Sequence, residues 1–230
     1  MNNINFLKNS RRHDIVKLLK SKSENIGVEL GVAKGVFSSR MVSSGYFSHF
    51  FGVDIYSDTY HDTDEYKETL VRIGVFSNYK LFRMSFDDAL DLFEDESLDF
   101  VYIDGYAHNG EEGGQTIFNW SKKVKIGGVI AGDDYHEDWP LVVDAVNEFI
   151  KSTGFKLNLT LIVEDDLYSN YPSWAVIKTT ETKNKKSPNH LVKKGRIAQR
   201  PKKNLLKYSV NKIVHLVLNK KIINFIKSIR

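Results

Sequence analysis

The sequence predicts an α/β fold, in which a mostly parallel β-sheet is covered by helices on both faces. Two observations indicate this fold. Short apolar runs alternate with segments of helical periodicity through most of the first 152 residues. The last two apolar runs, at 155–162 and 173–178, follow each other with no helix between them, which favours an antiparallel strand at the end of the sheet. The chain has 230 residues, of which 41% are hydrophobic, so it is long enough for a core of this kind.

The predicted strands are short runs rich in β-branched and aromatic residues, and most of them end at a glycine or an acidic residue. In chain order, the runs NIGVEL, HFFGVDI, YKLFRM, LDFVYI and GGVIA predict strands at 25–30, 49–55, 79–84, 98–103 and 127–131. The two closing runs complete a predicted sheet of seven strands.

The segments between the strands predict helices. The first, at 11–22, places Ile15, Leu18 and Leu19 on one face. The others lie at 37–43, 87–93, 112–124 and 141–152. Because most strands are followed by a helix, the connections are crossovers, which parallel neighbours require.

Charge is divided unevenly along the chain. Residues 178–230 hold 16 Lys and Arg side chains against one acidic residue, Glu181, whereas residues 1–177 hold 17 basic and 28 acidic residues. The formal net charge of +4 therefore combines an acidic body with a basic C-terminal region, and it does not indicate nucleic-acid binding by the whole chain.

Several classes of protein are excluded by composition. The chain has no cysteine, so it has no disulfide framework, no thiolate metal site and no cysteine nucleophile. The first residues lack the apolar run of a secretion signal, and no segment reaches the roughly 18 apolar residues of a membrane span. We therefore expect a cytoplasmic enzyme or binding protein.

The basic region predicts two parts that follow a domain at residues 1–178. Residues 179–204 are polar and interrupted by prolines and a glycine, which predicts a basic linker. Residues 205–230 repeat apolar side chains at three- and four-residue spacing opposite lysines, which predicts a basic amphipathic helix. Such a helix suits peripheral attachment to an anionic inner membrane face, or docking to a protein partner or to a second copy of the chain as a homo-oligomer. Nucleic-acid binding is less favoured, because the region offers few aromatic side chains for base stacking.

A glycine turn and an acidic residue mark the predicted ligand-binding edge of the sheet. Glu29-Leu-Gly31-Val-Ala-Lys-Gly35 follows the first predicted strand, and glycines there allow the backbone to approach a ligand closely. Asp54 ends the second strand, where a carboxylate can accept hydrogen bonds from both hydroxyls of a ribose. The spacing is not the G-x-G-x-x-G fingerprint of dinucleotide-binding folds, since Ala33 takes the middle place.

These motifs, together with Tyr102-Ile103-Asp104-Gly105 and the segment from Lys125 to Tyr135, resemble class I S-adenosylmethionine-dependent methyltransferases. The resemblance spans roughly residues 25–178 and is closest to bacterial sugar and natural-product O-methyltransferases. It implies a Rossmann-like seven-stranded sheet with an antiparallel last strand, and S-adenosyl-L-methionine as cofactor. It also implies that Glu29, Gly31 and Gly35 hold the methionine end of the cofactor and that Asp54 holds its ribose. Ser85 and Phe86 would border the adenine, and Asp104 would complete the cofactor site.

Three carboxylates are expected to converge at two neighbouring strand ends. Asp104 closes the fourth predicted strand, and Asp133 and Asp134 close the fifth. Carboxylates placed so closely repel one another unless a cation neutralises them, and oxygen ligands of this kind suit Mg²⁺. Metal-dependent O-methyltransferases use a similar trio, so the sequence predicts a magnesium site of Asp104, Asp133 and Asp134. The alternative is that Asp133 and Asp134 cap the next helix and Asp104 only orients the cofactor.

Two histidines are candidates for the general base of a methyl transfer. His108 lies four residues after Asp104, and His136 follows the acidic pair. Either ring could accept a proton near neutral pH. The segment 56–66 is rich in aromatic and charged residues and predicts a lid or a solvated loop on the acceptor side.

The leading hypothesis is an O-methyltransferase that acts on a hydroxyl of a saccharide or another small polar metabolite, assisted by Mg²⁺. An RNA methyltransferase with a basic tail is one alternative, although Ile103-Asp104-Gly105-Tyr106 differs from the Asn-Pro-Pro-Tyr-like motif of base methylation. A non-catalytic adaptor with the same fold, bound to a membrane or a complex, is the other.

Overall fold

The computed structural model of the protein describes residues 4–57, 61–105, 110–163 and 170–199. Its strands are β1 (Asn5–Leu7), β2 (Asn25–Leu30), β3 (Phe47–Asp54), β4 (Tyr79–Arg83), β5 (Leu98–Ile103), β6 (Val124–Gly132), β7 (Asn158–Thr160) and β8 (Trp174–Ile177). Its α-helices are α1 (Val36–Ser43), α2 (Thr63–Ile73), α3 (Phe86–Ala89), α4 (Gln115–Lys123) and α5 (Pro140–Thr153), and residues 189–199 are also helical. Two 3₁₀ helices span Arg12–Leu18 and Leu90–Leu92.

The strands of the described residues form one sheet in the order β1-β7-β8-β6-β5-β2-β3-β4. Strand β8 is antiparallel to both β6 and β7, and the other neighbours are parallel. From β2 the chain first builds outwards through β3 and β4, and it then returns to the other side of β2 with β5 and β6. The strand order therefore reverses between β2 and β5, and the crevice beyond the carboxyl ends of these strands is where open α/β sheets bind ligands.

The core occupies both faces of the sheet, as expected for parallel strands covered by helices. On one face Trp120 of α4 and Phe149 of α5 are fully buried against the strands. On the other face Ile15 of the first 3₁₀ helix packs with Phe37 and Met41 of α1. Strands β2 and β5 are buried on both sides, which accounts for their continuous apolar runs.

The predicted fold class is confirmed, and the sheet has one strand more than the seven predicted. The additional strand β1 has three residues, too few for a periodic pattern. Helix α2 was not predicted, because its buried positions are Glu65, Thr69 and Ile73, a stripe with one apolar residue. Its start is nevertheless written in the sequence, since the Asp62 carboxylate caps it by accepting hydrogen bonds from the N–H groups of Asp64 and Glu65. The predicted lid at 56–66 therefore includes the first turn of a helix.

Part of the predicted linker is a helix that packs on the domain. Leu191 is 3% exposed and belongs to the core cluster. Lys194 Nζ lies 2.7 Å from Asp144 Oδ2 of α5, and Gln199 Nε2 donates to the carbonyl of Glu111 at 2.9 Å. A Cβ on Gly195 would stand 2.3 Å from that same carbonyl oxygen, so only glycine allows the helix to approach the 110–115 loop so closely. The linker prediction is thus wrong for residues 189–199, where one buried leucine and one glycine anchor an otherwise polar segment.

The predicted amphipathic helix at 205–230 lies outside the described residues. Within 4–57, 61–105, 110–163 and 170–199, none of the helices combines the length and the apolar character needed to cross a membrane.

Candidate functional site

A cavity opens at the carboxyl edge of the sheet, beside the point where the strand order reverses. We divide its lining into two halves. The turn half comprises Glu29, Gly31, Val32, Ala33 and Asp54, at the ends of β2 and β3. The acidic half comprises Arg12, Asp104, Asp133, Asp134, Trp139 and Tyr171, at the ends of β5 and β6 and in the segments packed beside them.

The turn half is shaped by backbone that most side chains would not permit. Gly31 has a φ of 90°, and a Cβ there would stand 2.5 Å from the carbonyl oxygen of Asp104. Ala33 has a φ of 47°, a left-handed conformation that costs a non-glycine residue of the order of 1 kcal/mol. Beyond Ala33 the chain enters α1 at Gly35, whose φ is 71°. The turn therefore brings its backbone close to Asp104 at the cavity.

Asp54 holds this turn in place. Its Oδ2 accepts hydrogen bonds from the N–H groups of Val32 at 2.9 Å and Ala33 at 3.1 Å, and its Oδ1 accepts from the N–H of Tyr56 at 3.1 Å. Each carboxylate oxygen has two lone pairs, so the group retains capacity for a ligand hydroxyl. Asp54 thus positions the turn and can also receive a ligand from the cavity.

Glu29 lines the cavity, and its side chain is 2% exposed. The Ser38 hydroxyl donates to Glu29 Oε2, and it also lies 3.1 Å from the hydroxyl of Tyr79. Burial raises the pKa of Glu29 well above its usual range. The Glu29 side chain is therefore a buried hydrogen-bonding group in the turn half.

Three other residues predicted for the cofactor do not line this cavity. Gly35 begins α1, and a Cβ there would be 3.0 Å from Thr69 and 3.1 Å from Ile73, so its contact is with α2. The Ser85 hydroxyl caps α3 by accepting from the N–H of Asp88 at 3.1 Å. Phe86 packs into the core and lines a second, separate pocket with Glu112 and Arg196.

The acidic half brings Asp104, Asp133 and Asp134 together, as the sequence predicted, but an arginine lies between two of them. Arg12 Nη1 is 3.5 Å from Asp104 Oδ2 and 3.5 Å from Asp133 Oδ2. The remaining oxygens are also engaged: Asp104 Oδ1 accepts from the N–H of Gly105 at 2.7 Å, and Asp133 Oδ1 accepts from the Ser173 hydroxyl at 2.8 Å. Arg12 is itself 3% exposed.

Two of the three carboxyl groups are shifted towards neutral pH. Burial raises the pKa of Asp133 to about 7, with the Asp104 charge adding to the shift and Arg12 opposing it. Burial also raises the pKa of Asp134 to about 8, and the charges of Asp133 and Asp104 act in the same direction. Asp134 has a φ of 61°, which turns the chain sharply at the end of β6. A carboxylate of this kind can exchange a proton near neutral pH.

The predicted magnesium site does not fit these residues. In the part of the chain that the structure describes, no group of three His, Cys, Asp or Glu side chains is arranged to hold a metal ion. The physical reason lies in the donor set, because Arg12 already supplies the positive charge between Asp104 and Asp133. The prediction assumed that the cation had to come from solution, and it overlooked a basic side chain far away in the sequence.

One of the two predicted general bases, His136, is not among the residues that line the cavity. Its ring centroid is 4.8 Å from that of Tyr171, and its Nδ1 lies 3.4 Å from Asp138 Oδ2. His108 lies outside the described residues.

Besides Arg12, the lining residues that sequence reasoning did not single out include Trp139, Tyr171 and His61. Trp139 and Tyr171 stand edge to face with ring centroids 6.3 Å apart, and the Tyr171 hydroxyl donates to Asp138 Oδ2 at 2.9 Å. His61 also lines the cavity, and its Nδ1 lies 2.5 Å from Glu65 Oε2. The helix-start pattern Asp62-Thr63-Asp64-Glu65 could have located His61, whereas Trp139 and Tyr171 carried no comparable signal.

Comparisons with known proteins identify the fold. Residues 26–135 match the family model described as a methyltransferase domain. The search of curated proteins gave no match.

Solved structures with similar folds include a precorrin-6y C5,15-methyltransferase from Geobacter metallireducens, at 17% identity and a TM-score of 0.53, covering 72% of this chain and 86% of that one. An rRNA methylase from Streptococcus thermophilus aligns at 14% identity and a TM-score of 0.51, covering 73% and 94%. A proposed O-methyltransferase from Klebsiella pneumoniae aligns at 16% identity and a TM-score of 0.55, covering 73% and 79%. The chain therefore has the fold of S-adenosylmethionine-dependent methyltransferases, and its residues 26–135 are similar to a methyltransferase domain. Because the three neighbours differ in substrate, the fold does not identify the acceptor.

Proposed function

We propose that the protein is an S-adenosylmethionine-dependent O-methyltransferase that acts on a hydroxyl of a saccharide or another small polar metabolite. The observation that carries this proposal is the division of one cavity into a backbone-lined turn half and a carboxylate-lined acidic half. The first suits a cofactor and the second an acceptor. Both lie at the strand ends where open α/β sheets bind ligands.

The turn half fits the cofactor. The close approach of Gly31 to the Asp104 carbonyl leaves backbone at the surface, where a ligand can lie against it. Asp54 would accept a ribose hydroxyl while it continues to hold the turn, and Glu29 and Asp104 would face the methionine end. Gly35 would support the cofactor site indirectly, by letting the turn enter α1 close to α2. Ser85 and Phe86 do not line the cavity either, and they would act by shaping the segment that follows β4.

When bound, S-adenosylmethionine supplies a methyl group on a positively charged sulfur, and transfer to an acceptor hydroxyl leaves S-adenosylhomocysteine. Asp134 is the proposed acceptor of the hydroxyl proton, because it lines the acidic half at the end of β6. Asp133 and Asp104 are held in place by Ser173, Gly105 and Arg12 and so fix the position of the acceptor. No metal ion takes part in this proposal.

A saccharide is the favoured acceptor class because the acidic half joins carboxylates with aromatic rings. Trp139 and Tyr171 present ring surface beside Asp134, and a sugar offers both an apolar C–H face and hydroxyl groups to such a site. A base in RNA would need a flat stacking slot and phosphate-binding cations instead. The carboxylates of the acidic half disfavour a phosphate backbone.

The cofactor part of the proposal is tested by calorimetry with S-adenosylhomocysteine. We expect 1:1 binding to the full chain, and we expect Asp54→Ala to abolish it. Asp91→Ala is a matched control, since Asp91 is an exposed acid that does not line the cavity. Absence of binding to the unaltered chain would end the proposal.

The acceptor part is tested by transfer of labelled methyl groups from S-adenosylmethionine. Candidate acceptors are saccharides, small hydroxylated metabolites and total RNA, each in separate reactions. Label in a base-stable ether on a saccharide or a metabolite supports the proposal. Label in RNA would replace it with the nucleic-acid alternative.

The basic C-terminal region is proposed to attach the enzyme peripherally to an anionic membrane surface. Its charge supports this, because each Lys or Arg near such a surface contributes about 1 kcal/mol. The test is flotation with vesicles containing phosphatidylglycerol, comparing the full chain with a chain that ends after Gln199. The shortened chain retains the packed 189–199 helix, so lost flotation would be due to the tail. Equal flotation, or self-association of the full chain alone, would overturn the membrane proposal.

A further inference from the structure

Arg12 is the most deeply buried cation beside the cavity. It lies in the 3₁₀ helix Arg12–Leu18, before the first central strand, and 3% of its surface is exposed. Its guanidinium group lies over the ring of Phe37, with 5.4 Å between its central carbon and the ring centroid. A buried charge is strongly unfavourable unless opposite charges surround it. The surroundings of Arg12 therefore have to include anions, and they are Asp104 and Asp133.

The groups around Arg12 are fixed by contacts of their own. Phe37 stacks on Tyr102 with ring centroids 4.1 Å apart. The Tyr102 hydroxyl lies 3.0 Å from Ser173 Oγ, which in turn donates to Asp133 Oδ1. The ring below the guanidinium and the carboxylate beside it thus belong to one connected network, which sets a single position for the cation.

We propose that Arg12 is the internal cation of the acidic half, taking the place that a divalent metal would otherwise fill. It neutralises Asp104 and Asp133, holds both in fixed positions, and leaves Asp134 at the cavity surface for the acceptor. It is a positioning residue, because it acts through these carboxylates. The role in acceptor binding rests on the proposed function, whereas the replacement of a metal depends only on the geometry of the acidic half.

The proposal has a consequence for metal binding. With Arg12 present, the acidic half has no room for a second cation between Asp104 and Asp133. With Arg12 removed, Asp104 and Asp133 lose the cation that lies 3.5 Å from each of them, and oxygen ligands of this type bind Mg²⁺ and Mn²⁺. A variant without the guanidinium should therefore acquire a metal site that the unaltered chain lacks.

The experiment is a titration of the full chain with Mn²⁺, followed by electron paramagnetic resonance, together with thermal unfolding with and without Mn²⁺. We expect no stoichiometric binding to the unaltered chain and no change in its Tm. Arg12→Gln should lower Tm by about 10 °C, as expected when one partner of a buried ion pair is lost. It should also gain one Mn²⁺ site, and Mn²⁺ should restore part of the lost Tm.

Three further variants separate charge from mere packing. Arg12→Lys keeps the charge and should restore most of the Tm without binding Mn²⁺. Arg11→Gln alters an exposed neighbour and should resemble the unaltered chain in both measurements. Adding Asp133→Asn to Arg12→Gln should recover Tm in the absence of metal and abolish the new Mn²⁺ site.

Stoichiometric Mn²⁺ binding by the unaltered chain, lost in Asp133→Asn, would overturn the proposal. So would an Arg12→Gln variant that folds and gains no Mn²⁺ site. If Arg12→Gln does not fold, Mn²⁺ titration of the unaltered chain and of Arg12→Lys still tests the proposal, because stoichiometric binding by either would overturn it. Binding of S-adenosylhomocysteine is measured on the same preparations. Its absence from the unaltered chain would defeat the proposed function and leave the metal result unaffected.

Discussion

The two halves of the cavity are built in different ways. In the turn half, the residues from 29 to 36 are neighbours in the chain, and the surface is backbone fixed by one carboxylate, Asp54. In the acidic half, side chains from positions as distant as Arg12 and Tyr171 converge, and their charges balance one another. The turn half therefore depends on shape, so that one added Cβ is expected to prevent ligand binding there. The acidic half depends on charge balance, so that its behaviour changes with pH and with charge substitutions.

The largest expected effect is that of Gly31→Ala. Its Cβ would meet the Asp104 carbonyl oxygen at 2.5 Å, and the φ of 90° is strained for alanine. We expect a loss of stability of about 3 kcal/mol or more and no measurable binding of S-adenosylhomocysteine. Gly45→Ala is the matched control, since Gly45 also has a positive φ of 73° but has no atom within 4 Å of the added Cβ. It should cost about 1 kcal/mol and leave binding intact. If Gly31→Ala and Gly45→Ala had equal effects in urea denaturation and calorimetry, the turn half would not depend on the close approach of Gly31 to Asp104.

Asp54→Asn should have the next largest effect. The amide keeps one oxygen, so it can hold one side of the turn, but it replaces charge-assisted hydrogen bonds to three N–H groups with weaker ones. We expect S-adenosylhomocysteine to bind about 10- to 100-fold more weakly, measured by calorimetry. Asp91→Asn serves as the control, since Asp91 is exposed and does not line the cavity. Unchanged affinity in Asp54→Asn would mean that the turn does not need this carboxylate.

The acidic half should respond to pH through Asp134. Its pKa in the folded protein is about 8, above the ordinary value of 3.8, so the folded state binds this proton more tightly than the unfolded state does. The resulting stability is fully present below pH 3.8 and is lost as pH rises through about 8. Asp134→Asn should therefore be more stable than the unaltered chain at pH 9, by about 1–3 kcal/mol, and should flatten the decline from pH 6 to pH 9. A profile in which the unaltered chain gains stability over that interval would contradict the assignment.

The smallest expected effect on cofactor binding is that of Tyr171→Ala. This side chain belongs to the acidic half, and it contacts Asp138, His136 and Trp139. We expect affinity for S-adenosylhomocysteine to stay within about twofold. Tyr171→Ala should raise the KM for the acceptor, which can be measured once the acceptor has been identified. A marked loss of S-adenosylhomocysteine binding would show that the two halves are not separable.

The sequence was sufficient for the elements whose signal is local. The strand-end acids and the glycine turn could be placed because one apolar run leads directly into each of them. Arg12 could not be assigned, because its pairing with Asp104 and Asp133 spans the chain and leaves no spacing to recognise. Helix α2 and residues 189–199 were missed for a related reason. Each is anchored by very few apolar residues, so tertiary packing, rather than hydrophobic periodicity, makes them helical.

The helix at 189–199 moves the boundary of the folded unit well past Lys178. A chain cut after Lys178 would lose Leu191 and so expose the core side chains that it covers. It would also lose Thr182, whose Oγ1 lies 3.1 Å from the buried Ser121 hydroxyl. The same helix holds the 110–115 loop from outside through Gln199 and Gly195. A force applied to the basic residues that follow would therefore reach this loop directly, and the loop lies only a few residues after Asp104.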